Sequence, residues 1–156
     1  MKYTLKFFLI LLFVFSGVFA QAKTVTFLSI ADIHFDPYIA CHNEKPCPLI
    51  EALSAAPYQQ WSQIFRRFSS KRSIRYGQDT PNALFQSLLT SLKKRKPRFA
   101  VLLGDFLAHR YYDQYREYSG DSKGVKYRQF VDKTFQYLMV NIKKALGNVP
   151  IYPVIG

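Results

Sequence analysis

Asp32 and His34 stand two residues apart at the end of an apolar segment, Val25 to Ile30. On an extended chain, side chains at i and i+2 fall on the same side, so a carboxylate and an imidazole face one point. That donor pair suits zinc or a harder divalent ion. A second apolar segment, Phe99 to Leu103, runs straight into Gly104 and Asp105, and His109 follows four residues later. A carboxylate such as Asp105 can bridge two cations about 3.5–4 Å apart, the arrangement used for in-line displacement at phosphorus. Gly104 lets the chain turn sharply before it. His109 is close enough in sequence to donate a proton to a phosphoryl oxygen or a leaving group. Each residue also has a structural reading. Asp32 can cap the following turn, His34 can be a satisfied core histidine, and Gly-Asp is a common turn. Taken together, at successive strand ends, the residues point to a metal site.

The elements that must position these residues are legible from pattern. Tyr58 to Phe68 places Trp61, Ile64, Phe65 and Phe68 at near-helical spacing, with Arg66 and Arg67 turned outward. Asp79-Thr80-Pro81 has the form of a helix start, a capping side chain followed by proline at the first helical position. Leu84, Phe85, Leu88, Leu89 and Leu92 then form one apolar stripe. Lys93 to Lys96 close that helix, where cations suit the negative end of the dipole, and Pro97 stops it. The basic run is read as a solvated helix terminus rather than a nucleic-acid patch.

A Tyr- and Gly-containing loop precedes a long helix from about Val125 to Leu146, with Phe130, Val131, Phe135, Leu138, Met139, Ile142 and Leu146 on its core face. Gly147 is its natural stop. Ile151 to Ile155 is a third apolar strand. Near-continuous apolar strands separated by helices predict an α/β fold, with a largely parallel sheet covered on both faces. Right-handed crossovers bring the carboxyl ends of such strands to one edge, where ligands bind. Asp32, His34 and Asp105 all fall at that edge.

The first 22 residues are read as a secretory signal peptide. Lys2 and Lys6 open it, Phe7 to Phe15 is its apolar run, and Ala20-Gln21-Ala22 supplies small residues at the cleavage position. A retained anchor is disfavoured because the run is short of the roughly 20 residues a span needs. The expected product is therefore secreted or periplasmic, with no transmembrane anchor. Of the formal charge of +12, two units come from Lys2 and Lys6. The remaining basic surface is compatible with phosphates, nucleic acid or anionic lipid, by long-range field alone.

Between Asp36 and Pro57 lie Pro37, Pro46, Pro48 and Pro57, together with Cys41 and Cys47. The stretch reads as a long ordered loop with a short helix near Leu49 to Ser54. In an exported chain the cysteines are expected to form a disulfide worth about 2–3 kcal/mol on a chain-entropy basis. Metal binding through Cys41, His42 and Cys47 is the alternative.

Asp32-Ile33-His34 followed by Gly104-Asp105 resembles the first two blocks of the calcineurin-like metallophosphoesterases. Asp32 to Tyr38, the Cys41–Cys47 loop and Gly104-Asp105-Phe106-Leu107-Ala108-His109 resemble more closely the acid sphingomyelinase-like phosphodiesterase branch. The resemblance implies a layered fold and a binuclear centre, usually zinc, that activates water to attack a phosphodiester such as sphingomyelin or a nucleotide derivative. Asp32 and His34 would hold the first metal, Asp105 would bridge both, and His109 would assist at the phosphate or leaving group. Asp36 would support a ligand rather than be one. The family's third block, Gly-Asn followed by His or Asp, comes after a third strand. The sequence reaches Gly156 where that block begins, so residues 23–156 are expected to form the N-terminal part of such a domain, with a second sheet supplied by the other half. Three ligands leave the first ion one short and the second with only the bridge, so weak metal affinity and little hydrolysis are expected of these residues alone. The alternative is a non-catalytic basic exported module that binds anionic lipid or nucleic acid. No specific nucleic-acid recognition is expected, and the sequence is silent on oligomeric state.

Overall fold

The computed structural model describes residues 24–41, 44–68 and 76–154. The signal-peptide segment, His42 and most of the polar stretch from Ser69 to Gln78 lie outside the described residues. Three short strands are present: β1 (Phe27–Ile30), β2 (Phe99–Leu102) and β3 (Ile151–Pro153). They form one parallel sheet in the order β1-β2-β3, with Phe27 opposite Phe99 and Ala100 opposite Ile151. The connecting helices are α1 (Pro48–Ala55), α2 (Trp61–Arg67), α3 (Asn82–Leu92), α4 (Tyr111–Tyr118) and α5 (Tyr127–Leu146). The architecture is α/β, as the alternation of strand and helix patterns requires.

Strand alternation divides the sheet into two unlike faces. Ile30, Ala100 and Leu102 are buried with Phe85, Leu89 and Leu92 of α3 and with Phe130, Leu138 and Ile142 of α5. On the opposite face Phe27 and Tyr152 are each 57% exposed, and Phe99 packs between them, stacked on Phe27 at 5.3 Å and edge-on to Tyr152 at 6.1 Å. The expectation of a sheet covered on both faces is therefore corrected: among the described residues only one face is covered. Apolar strands look alike in sequence whether or not a second layer is present.

Aromatic packing builds the core. Trp61 is fully buried against Phe65, Phe130 and Tyr137, and Phe35 against Phe65, Phe85 and Tyr137. The Trp61 indole N–H donates to Leu53 O at 3.0 Å, and Lys133 Nζ donates to Ser54 O. These carbonyls lie in the last turn of α1, where intrahelical partners run out. The core face of α5 includes Thr134 and Tyr137 as well as the expected aliphatics. Gly147 ends the helix at φ 68°, as its position implied. Cys41 and Cys47 form a disulfide with a Cα separation of 5.4 Å, which excludes the alternative of cysteine metal ligation. The loop they close is docked to the end of α4, through the Cys47 N–H donated to Tyr118 O and a Lys45–Glu117 ion pair.

α4 corrects a second expectation. Residues 111–118 fall in a stretch read as loop, because they contain no leucine, isoleucine or valine. Tyr111 and Tyr115, four apart, supply the buried face instead. No helix among the described residues is long and apolar enough to cross a membrane.

Candidate metal centre

At the carboxyl edge of the sheet the backbone changes hand. Leu103 N–H still donates to Ile30 O at 2.9 Å, and beyond that point β1 and β2 diverge into loops. Asp32 (φ 52°), His34 (φ 42°) and Asp105 (φ 45°) all occupy the left-handed region, as does Gly104 (φ 83°). Non-glycine residues there cost of order 1–3 kcal/mol each and gather at functional sites. Among the described residues, three of the four such positions are the ones the sequence marked as ligands.

The loops are tied together by main-chain bonds. His34 N–H donates to Asp105 O at 2.9 Å and Phe35 N–H to Phe106 O at 2.8 Å. Thr80 N–H donates to His34 O and Asp36 N–H to Thr80 O, both at 2.8 Å. Phe35 thus forms parallel bridges to Leu107 on one side and Thr80 on the other, and its ring is fully buried. His34 and Asp36, flanking this anchored residue, both face one cleft.

The result is a cleft of about 500 Å³ lined by Asp32, His34, Asp36, Asp79 and His109, among others. One ligand-type atom each from Asp32, His34 and Asp105 lies within 4.8 Å of the other two. His34 Nε2 is 3.8 Å from Asp32 Oδ1. Donors bound to zinc at about 2.0–2.2 Å sit roughly 3.4 Å apart in a tetrahedron, so the three residues reach an ion by closing at most about 1.4 Å. His34 Nδ1 is buried without a hydrogen-bond partner, although an imidazole turned to a metal normally donates its other nitrogen. The donor set of two carboxylates and one imidazole fits a divalent cation.

Asp79 has a role the sequence did not reveal. α3 begins at Asn82 with Pro81 as its N-cap and no side-chain cap; the Asp79 carboxylate instead reaches across to His109. Asp79 Oδ1 is 2.7 Å from His109 Nδ1, and Asp79 Oδ2 accepts the His109 main-chain N–H at 3.0 Å. A carboxylate only accepts, so His109 carries its proton on Nδ1. The His109 ring stacks on His34 at 4.6 Å with only 7° between planes. Its side chain is largely exposed, while Asp79 is only 16% exposed. An Asp-x-Pro sequence has the form of a helix cap, and nothing local to it signals a partner thirty residues away.

Asp36 is buried, and its Oδ1 accepts the Tyr38 N–H at 2.7 Å. Burial pushes its pKa up to about 6, opposed by the Tyr38 N–H and reinforced by the negative charge of Asp79. It is not among the three converging donors, and it makes no hydrogen bond to His34 Nδ1, which has no partner.

No family model matches the chain, and no curated protein matches it.

Proposed function

We propose that this protein is an exported, metal-dependent phosphodiesterase of the metallophosphoesterase type, with Asp32, His34 and Asp105 as metal ligands. The observation that carries this reading is the convergence of those three side chains at the carboxyl ends of two adjacent parallel strands, on left-handed backbone. The disulfide between Cys41 and Cys47 supports export, since such bonds persist in oxidising compartments.

Divalent cations held there by Asp32, His34 and Asp105 would polarise a phosphoryl oxygen and lower the pKa of water. The chain's own residues supply the rest. Asp32, His34 and Asp105 would hold the ion and so fix where a phosphoryl oxygen could bind. Asp79 holds the His109 ring with the Nδ1 proton directed at the carboxylate. The other ring nitrogen, Nε2, is thereby available to hold a proton for the departing alkoxide. The tightly bonded edge keeps these groups fixed before substrate arrives.

The test is hydrolysis of bis(p-nitrophenyl) phosphate by the full chain supplied with Zn2+. Slow turnover that is abolished by a chelator and by Asp105→Asn is expected. Metal binding without turnover would leave the site and remove the enzyme; turnover unaffected by Asp105→Asn would remove both.

A second reading, a basic module that binds anionic surfaces, rests on the charge distribution. No acidic residue occurs between Thr80 and Gly104 or beyond Asp132, while those stretches carry Lys93, Lys94, Arg95, Lys96, Arg98, Lys133, Lys143 and Lys144. Binding to anionic vesicles or single-stranded DNA that falls steeply with salt supports it; binding absent even at low ionic strength removes it.

A further inference from the structure

Two groups of ligand-type side chains share His34. One is Asp32, His34 and Asp105; the other is His34, Asp79 and His109, whose donor atoms also lie within 4.8 Å of one another. Their chemistry differs. The first offers two carboxylates and one imidazole. The second offers two imidazoles and one carboxylate, a set that prefers zinc or cobalt over magnesium or calcium. The Asp79 carboxylate and His109 Nδ1 are already 2.7 Å apart, joined by a single proton. Donors on a common zinc stand roughly 3.4 Å apart, so a small widening of that pair admits an ion in place of the proton. The His109 ring lies parallel to His34 at 4.6 Å, and His34 has one buried nitrogen without a partner. Its third member is therefore a ring whose hydrogen bonding is unsatisfied. The low exposure of Asp79 limits competition from water, and the open side of His109 gives an ion a route in.

We infer that His34, Asp79 and His109 form a second, separate zinc position, with water completing the coordination. It is a regulatory position rather than half of a paired centre. An ion there takes the proton-bearing nitrogen of His109 and draws on His34, which the first position also needs. Filling it therefore competes with the Asp32–His34–Asp105 position for His34. Zn2+ in excess should inhibit, and Mg2+ in excess should not.

The zinc binding stands apart from the phosphodiesterase reading; the inhibition rests on it. The experiment is calorimetric titration of the full chain with Zn2+, repeated with Co2+ to read imidazole ligation from the visible spectrum. Asp105→Asn disables the first position and isolates the second. That variant is expected to keep a binding step that a further Asp79→Asn substitution weakens by about 100-fold, since loss of a residue that merely orients a ligand already costs about 10–100-fold. His109→Gln in the Asp105→Asn background should weaken the same step without removing Asp79, which guards against a loop disturbed by the Asp79 change; far-UV circular dichroism verifies the fold of each variant. If Asp105→Asn alone abolishes all Zn2+ binding, the second position is overturned while the first is kept. A step insensitive to both Asp79→Asn and His109→Gln also overturns it. If the Asp79-dependent step is found and Asp105→Asn changes nothing in the native titration, the second position stands and the proposed catalytic one falls.

Discussion

The left-handed conformations at Asp32, His34 and Asp105 set ligand geometry against backbone preference. Asp32 shows this best, because its side chain is two-thirds exposed and makes few packing contacts to lose. Asp32→Gly removes a strain of about 1–2 kcal/mol and adds about 0.4–1 kcal/mol of unfolded-chain freedom. The metal-free variant is therefore expected to be more stable by up to about 1.6 kcal/mol in a urea titration, and to bind Zn2+ more weakly. A midpoint below that of the parent chain would show that the left-handed conformation carries no strain. The convergence of Asp32, His34 and Asp105 was legible in the sequence, because strand ends in a parallel sheet share an edge. The strain was not, since only glycine advertises positive φ by its identity. Asp79 was hidden for a different reason. Its neighbours Thr80 and Pro81 supply a complete local account of it, and its true partner, His109, is brought close only by the fold.

Among the elements, α1 depends most on others for its termination. Its final carbonyls at Leu53 and Ser54 are satisfied by Trp61 and Lys133. Trp61→Phe leaves a buried carbonyl unpaired, at a cost of about 1–3 kcal/mol, with further loss from the smaller ring. A urea midpoint unchanged in this variant would show that water replaces the indole. The disulfide acts on the neighbouring loop. Cys41→Ala with Cys47→Ala is expected to cost about 2–3 kcal/mol, and the double variant's stability should not respond to reductant, whereas the parent's should fall. The strands and helices with leucine, isoleucine and phenylalanine stripes could all be read from periodicity to within a few residues. α4 could not, because its buried face is two tyrosines whose hydroxyls also find partners: Tyr111 Oη with Thr134 Oγ1 at 2.7 Å, and Tyr115 Oη with Asp121. A polar handle makes a core residue look like a surface one.

Taken as one object, the described part of the molecule is lopsided. One sheet face is sealed by helices, and the other presents Phe27, Phe99 and Tyr152 in contact with one another. Contiguous exposed apolar area of this kind promotes association. The described fold is expected to bind a hydrophobic dye such as ANS in its native state and to self-associate as concentration rises. Phe27→Lys with Tyr152→Lys should reduce both, read by dye emission and sedimentation velocity, with the circular dichroism spectrum unchanged. Equal dye binding by parent and variant would place the exposed apolar surface elsewhere. The α/β class followed from the order of apolar segments, but the number of layers did not. A strand buried on both faces and a strand buried on one are both apolar runs of four or five residues.

The main-chain bonds that join the three loops at the carboxyl edge have a consequence in time. The amides of His34, Phe35, Asp36 and Thr80 are all donated to main-chain carbonyls around the buried Phe35 ring. No one of these loops can swing open without breaking the bridges to the others. Their protons should then exchange with deuterium as slowly as those of the central strand, although they lie outside the three strands. A loop that exchanges like a core strand is one that waits, already shaped, for what it binds.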